Sequence, residues 1–327
     1  MKDSKKQLIT TAPPEKAKTT AINRRHFLGG AATLAAGLLV FPDLLAGSSA
    51  RKVNSIESIF AADKRYKIAV IDLMILKRQK ISALPLAKEI GADGLEIDMG
   101  GLGNRDTFES KLADPEMRQQ YLDKAKELNL ELCSLAMTGF YAQSFAERPT
   151  YQQMVGDTIE TMKQMNIKTA FLPLGVKGDL VQHPHLRPAI VERLKVVGKM
   201  AEAAGVVIGI ETALDAKGEK KLLKDVGSNG IKIYFNFSNP LKEGRDLHKE
   251  LKTLGKDRIC MIHASDEDGV WLENNTRLDM QKVKQTLDKM GWSGWLVVER
   301  SRDASNPRDV KGNFGANTRY LKSVFQA

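Results

Sequence analysis

The chain has 327 residues, 42% hydrophobic and 6% aromatic, with 50 Lys and Arg against 40 Asp and Glu. This apolar content over this length builds a full core, which excludes intrinsic disorder for most of the chain. Two cysteines exclude a disulfide scaffold and a Cys-rich zinc module, and no charge-free apolar run reaches about 18 residues, which excludes a polytopic membrane protein.

The formal charge of +10 is unevenly placed: residues 1–50 hold seven basic and three acidic side chains, the other 277 hold 43 and 37. Residues 1–23 are polar and aperiodic. Asn23-Arg24-Arg25-His26-Phe27-Leu28 follows, then a Gly- and Ala-rich apolar stretch to Phe41. A basic segment, a short apolar segment and small residues ahead of a cut make a signal peptide. The Arg pair followed by x-Phe-Leu resembles a twin-arginine export signal, which a receptor reads on folded cargo. We therefore expect a twin-arginine-type signal peptide and leader over 1–50, cut after Ala50, and a linker over 51–65. The partner implied is the twin-arginine export machinery. The location implied is periplasmic or otherwise exported, with a membrane tether if the leader stays uncleaved. A single membrane helix is the competing reading, but the charge-free stretch 27–42 has 16 residues where a span needs about 20.

From residue 66 onward, short β-branched runs alternate with helical periodicity. Strands are expected over 66–73, 94–98, 131–136, 169–174, 206–211, 231–235, 258–263 and 295–299. Helices are expected over 84–90, 115–128, 151–165, 188–204, 219–226, 245–254, 279–290 and 316–325. Several strands are nearly continuous apolar runs, as in a parallel sheet buried on both faces. Eight such pairs in about 260 residues match the arithmetic of one (β/α)8 barrel, a TIM barrel of the α/β class over 66–327. A doubly wound sheet would want a Gly-rich phosphate loop. Gly100-Gly101-Leu102-Gly103 lacks the third glycine at that spacing and reads as an ordinary loop.

In a barrel the chemistry sits where strands end. Glu96 and Asp98 end the second strand, Glu211 the fifth, Asn236 and Asn239 the sixth, His263 and Asp266 the seventh, and Glu299 the eighth. A carboxylate after several apolar strand residues cannot sit unpaired in a core without a large desolvation cost. Carboxylate and imidazole donors converging on one rim suit Mn²⁺, Mg²⁺, Co²⁺ or Zn²⁺. The competing reading is that each residue caps its own strand.

These residues resemble the xylose-isomerase-like TIM-barrel family of sugar isomerases, ketose epimerases and an abasic-site endonuclease branch. The resemblance covers roughly 67–326. It rests on Gly-Leu-Glu96, Gly-Val-Val-Ile-Gly-Ile-Glu211, His263-Ala-Ser-Asp266 and Gly-Trp-Leu-Val-Val-Glu299. It implies a divalent cation bound by Glu211, Asn236, His263 and Glu299. The departure is Asn236, where the family pattern has Asp; a neutral amide there weakens or abolishes the metal site.

The reaction implied is metal-assisted proton abstraction next to a sugar carbonyl, with Glu211 and Glu299 as the acid–base pair. Glu96, Asn239 and Asp266 are expected to contact the hydroxyls of a small carbohydrate substrate. Asp266 could instead orient His263 or cap its loop. An exported sugar isomerase or epimerase is thus the leading function. A keto-sugar or keto-glycoside lyase or hydratase on the same site is the runner-up, and a non-catalytic sugar-binding barrel the third. Nucleic acid is not expected: no Lys/Arg patch is interleaved with aromatics, and the Lys-rich segment 217–224 alternates with acids. His183 and His185 read as exposed loop residues. Trp271 and Tyr141 read as rim residues able to stack on a sugar. Cys133 and Cys260 read as buried core thiols.

Overall fold

Eight parallel strands close into a barrel in chain order: β1 (Tyr66–Ile71), β2 (Gly94–Asp98), β3 (Glu131–Ala136), β4 (Thr169–Pro173), β5 (Val207–Glu211), β6 (Ile231–Asn236), β7 (Ile259–His263) and β8 (Gly294–Val298). The computed structural model describes residues 64–101, 103 and 105–327. The expected leader over 1–50, and all but the last two residues of the expected linker, lie outside the described residues. Among the described residues no helix is long and apolar enough to cross a membrane.

The two-residue alternation of a strand decides what each barrel face carries. Ile208 and Ile210 of β5, Ile231 and Ile233 of β6, and Leu296 and Val298 of β8 face outward into the large core shared with the helices. The alternate positions face the barrel axis, where Ala69, Cys133, Phe171, Tyr234, Met261 and Val297 form a second, smaller core. Glu211, Asn236 and Glu299 fall in phase with those inward positions. Strand register then sets their height: Pro173 pairs with Glu211, Asn236 with His263, and His263 with Val297.

The helices are α1 (Ala83–Ile90), α2 (Pro115–Glu127), α3 (Gly139–Ala142), α4 (Tyr151–Gln164), α5 (Arg187–Ala204), α6 (Ala216–Val226), α7 (Ser238–Lys242), α8 (Leu247–Leu254), α9 (Met280–Met290) and α10 (Val310–Phe325). Gly205 ends α5 with a left-handed backbone (φ 65°), as its position in the sequence implies. Three helix starts differ from expectation by two residues or more, each because an aspartate caps further upstream or downstream than the apolar pattern suggests. Asp215 accepts from the Gly218 amide and starts α6 at Ala216, not 219. Asp246 caps α8 at Leu247 rather than 245, and Asp309 starts α10 at Val310, well before 316. The short helices α3 and α7, directly after β3 and β6, carry no periodic signal and were not expected.

Cys133 is buried, whereas Cys260 is half-buried, with its thiol donating to the Ile233 carbonyl. Beside it, Gly209 leaves the room that lets β5 and β6 close tightly. A Cβ at Gly209 would lie 2.6 Å from Cys260 Sγ and 3.1 Å from Tyr234 Cβ. Gly209→Ala is therefore expected to destabilise the barrel by about 1–3 kcal/mol. A lowered urea midpoint at unchanged slope checks this, and Cys260→Ala in the same chain should recover part of the loss.

Candidate active site

Glu211, Asn236 and His263 are the last residues of β5, β6 and β7, and Glu299 follows the last residue of β8. The structure brings all four together. The His263 Nδ1 lies 2.9 Å from Glu211 Oε2 and 3.8 Å from Glu299 Oε2. The Asn236 amide nitrogen donates to both carboxylates, at 3.2 Å to Glu211 and 3.1 Å to Glu299. Its direction is fixed by Ser238, whose backbone N–H donates to Asn236 Oδ1 at 2.9 Å and whose hydroxyl donates at 2.8 Å. A backbone N–H can only donate, so the amide oxygen must face Ser238 and the NH2 must face the carboxylates. Asn239 donates to the Thr212 carbonyl at 3.0 Å, with a longer contact of 3.5 Å to Glu211.

Beneath this layer lies Glu96, inward on β2 and fully buried. It accepts from Ser134 Oγ at 2.6 Å and Tyr234 OH at 2.8 Å, and its other oxygen stands 3.6 Å from His263 Nε2. His263 is thus sealed between carboxylates, its ring against Phe171 and Tyr234 at 4.8 and 4.4 Å between centroids. Burial alone would lower its pKa, but Glu299, Glu211 and Glu96 outweigh that and raise it well above the usual value. The three glutamates thus favour its imidazolium form. Burial, followed by the Glu211 charge, raises Glu299 above the usual carboxylate range against the pull of His263.

A cavity of about 340 Å³ opens above, lined by Tyr141, Glu211, Asn236, Asn239, Glu299 and Arg300 among others. A larger hollow, about 580 Å³, lies at the opposite end around Lys64 and Trp295. It lies among the starts of β1 and β8 and the end of α9, at the end where a barrel carries stability rather than chemistry.

Two expected substrate contacts do not face this cavity. Glu96 lies one layer down, inside the barrel. Asp266 is almost fully buried and held by Arg277 at 2.6 and 2.7 Å and Asn275 at 2.9 Å. These bonds favour its ionised form and anchor the loop after β7, so the capping reading describes it. Trp271 donates its indole N–H to Asn313, and the rings of His183 and His185 lie against each other at 6.0 Å between centroids. Tyr141 does reach the cavity. The residue that sequence reasoning missed is Ser238, although Asn-x-Ser is a recognisable turn signature in which the Asn side chain accepts from the backbone two residues on.

The expected divalent cation is not matched by the donors as they stand. Both lone pairs of Asn236 Oδ1 are engaged by Ser238, so the amide presents hydrogens where a fourth ligand would be. His263 Nδ1 carries a proton toward Glu211. Turning the amide would leave the buried Ser238 N–H without its acceptor. Among the described residues no group of three His, Cys, Asp or Glu side chains is disposed to hold a metal ion.

Residues 84–324 match the family model described as xylose isomerase-like TIM barrel. A 2-epi-5-epi-valiolone 7-phosphate 2-epimerase of an Actinoplanes species is 25% identical over 194 residues, covering 58% of this chain and 69% of the relative. The crystal structure of 3-keto-D-glucoside 4-epimerase from E. coli superposes with a TM-score of 0.62 at 17% identity, over 79% of this chain and 99% of that one. D-Psicose 3-epimerase from Clostridium cellulolyticum, solved with D-tagatose, gives 0.63 at 14% identity over the same shares. At these identities the two structures speak for the fold, and the match across 84–324 for the family: the chain belongs to the xylose isomerase-like TIM barrels.

Proposed function

We propose that this barrel epimerises or isomerises a small keto-sugar by moving a proton on the carbon next to the carbonyl. The observation that carries the reading is the pair Glu211 and Glu299, buried at the cavity floor and bridged by one amide nitrogen. Their surroundings differ in a way that divides the labour. Glu211 accepts from His263, Asn236 and, more distantly, Asn239, a set of donors that holds its carboxyl group in place, and we assign it the role of base. Glu299 has the single Asn236 bond and a raised pKa, which suits it as acid.

Glu211 takes the proton from the carbon, the C–H electron pair becomes the C=C bond of an enediolate, and the carbonyl pair moves onto oxygen. Glu299 then returns a proton to the opposite face. Turnover leaves Glu211 neutral and Glu299 charged, and exchange with water in the cavity resets them. The 2-epimerase activity of the Actinoplanes relative supports this class of chemistry. We extend the proposal to the site of action: the Arg24-Arg25 leader sends the barrel out of the cytoplasm by the twin-arginine route, to meet a carbohydrate there.

Incubation of the full chain with ketoses and keto-glycosides in deuterated water tests the reaction. Deuterium should enter the carbon next to the carbonyl, and Glu211→Gln and Glu299→Gln should each lower the rate by about 10²–10⁴-fold. Release of water or an aglycone would mean a lyase instead, and binding without exchange a sugar-binding barrel. Asn236→Asp removes the amide hydrogens and adds a charge, so Mn²⁺ affinity measured by calorimetry should rise about tenfold or more. Lys at both Arg24 and Arg25 should leave unprocessed precursor in the cytoplasm on fractionation.

A further inference from the structure

Proton abstraction next to a carbonyl needs a group that stabilises charge arriving on the oxygen, and this is commonly the largest contribution to catalysis. Granting the reading above, most donors near the floor are already committed. His263 Nδ1 is engaged by Glu211, and Nε2, 3.6 Å from Glu96, is sealed beneath the floor with the fully buried ring, out of a substrate's reach. The two amide hydrogens of Asn236 go to Glu211 and Glu299, and the Ser238 hydroxyl goes to Asn236. Asn239 is held by Thr212 and Glu211. Lys242, at the mouth, pairs with Glu267 at 3.2 Å.

Tyr141 stands apart from these. Its ring lines the cavity together with Glu211, Asn236 and Glu299, while its hydroxyl has no hydrogen-bond partner among the described residues. That oxygen is not sealed from solvent, and the residue that carries it lines the cavity. The ring is held in place from several sides. It tilts against Phe171 at 6.3 Å between centroids, and a Cβ at Gly175 would lie 3.3 Å from it. The short helix α3 that carries it starts after Thr138, whose hydroxyl is bonded to Asp98, and the Asp98 amide donates to Asp72 at 2.9 Å. Two buried aspartates that have no part in the acid–base pair thus anchor the turn from which Tyr141 projects.

We propose that the Tyr141 hydroxyl is a catalytic residue, donating the hydrogen bond that receives the developing enediolate oxygen. The proton stays on the phenol: the hydroxyl lends its hydrogen, Glu211 takes the carbon-bound proton, and no further proton or electron pair moves. Burial, and then the fields of Glu211 and Glu299, hold the phenol well above its usual pKa, so it remains a neutral donor.

Tyr141→Phe removes only the hydroxyl and keeps the ring in its packing. With the full chain, and D-psicose, D-fructose and D-tagatose as probes, solvent deuterium exchange is followed for the wild type, Tyr141→Phe and Glu211→Gln. For any probe that exchanges, Tyr141→Phe should lower kcat by about 10²–10³-fold, the range for losing one oxyanion donor. KM should change by less than about threefold, since the bond strengthens only as charge develops. The thermal melt should stay within about 2 °C of wild type. Undiminished exchange in Tyr141→Phe, with exchange abolished in Glu211→Gln, overturns this inference while leaving the acid–base pair intact. A rise in KM at unchanged kcat also overturns it, because the hydroxyl would then bind ground state and transition state alike. No exchange by the wild type with any of the three sugars overturns the inference for ketohexoses together with the reading beneath it.

Discussion

Three glutamates, Glu96, Glu211 and Glu299, are buried at one end of the barrel axis, and one imidazolium lies between them. Everything around the site follows from that imbalance. Like charges at such spacing in a low dielectric cannot all be ionised without compensation. His263, whose protonated form these carboxylates favour, provides the compensating charge, facing Glu211 and Glu299 with one nitrogen and Glu96 with the other. The Asn236 amide supplies two hydrogens at the gap that the imidazolium leaves open. The charge that remains uncompensated falls on Glu299, which keeps its proton more readily than an ordinary carboxyl group does. An acid beside a base is thus a consequence of burying too many carboxylates for one cation.

Holding this arrangement requires rigidity one layer further out. Tyr234 and Ser134 fix Glu96 from β6 and β3, and the tight β5–β6–β7 packing at Gly209 keeps Tyr234 where it is. On the β7–β8 side, the Arg277 fork on Asp266 braces the loop after β7, and the paired contacts of Arg302 with Asp268 and the Gly269–Asp303 bridge tie it to the loop after β8. Bidentate guanidinium–carboxylate pairs are geometrically demanding, so they define a wall and not merely an attraction. The opposite wall is built differently. There Tyr141 projects from a short helix, and Val176 lines the mouth while 66% exposed and in a left-handed conformation at φ 54°. That conformation is costly for a β-branched residue and persists only where its surroundings enforce it.

Strands and long helices were legible because period two and period 3.6 are written directly into which residues are apolar. Rim residues were legible for the same reason: after an inward-facing position, the next one two residues on also faces inward, and at a strand end it meets the cavity. Depth was not legible. Glu96 sits in the middle of β2, with Asp98 still to come, and an inward residue there enters the core instead of the cavity. The partner of Asp266 was equally hidden, since Arg277 lies eleven residues away across a loop with no periodicity. The starts of α6 and α10 were obscured by Gly218, Gly312 and Gly315, which dilute the helical pattern although Asp215 and Asp309 cap the first turns.

The orientation of Asn236 follows from chemistry that sequence and geometry share. An amide at the end of β6 has two ends that cannot exchange places, because the Ser238 amide accepts no substitute for an oxygen. Aspartate at the same position would keep the oxygen toward Ser238 and turn a second oxygen toward Glu211 and Glu299. Three carboxylate oxygens would then crowd the space now shared by two, and only a cation could reconcile them. A single nitrogen in place of an oxygen thus separates a floor that demands a metal ion from one in which an amide bridges the two carboxylates. Such a floor offers nothing to polarise a substrate carbonyl from below, which leaves that task to groups on the cavity wall.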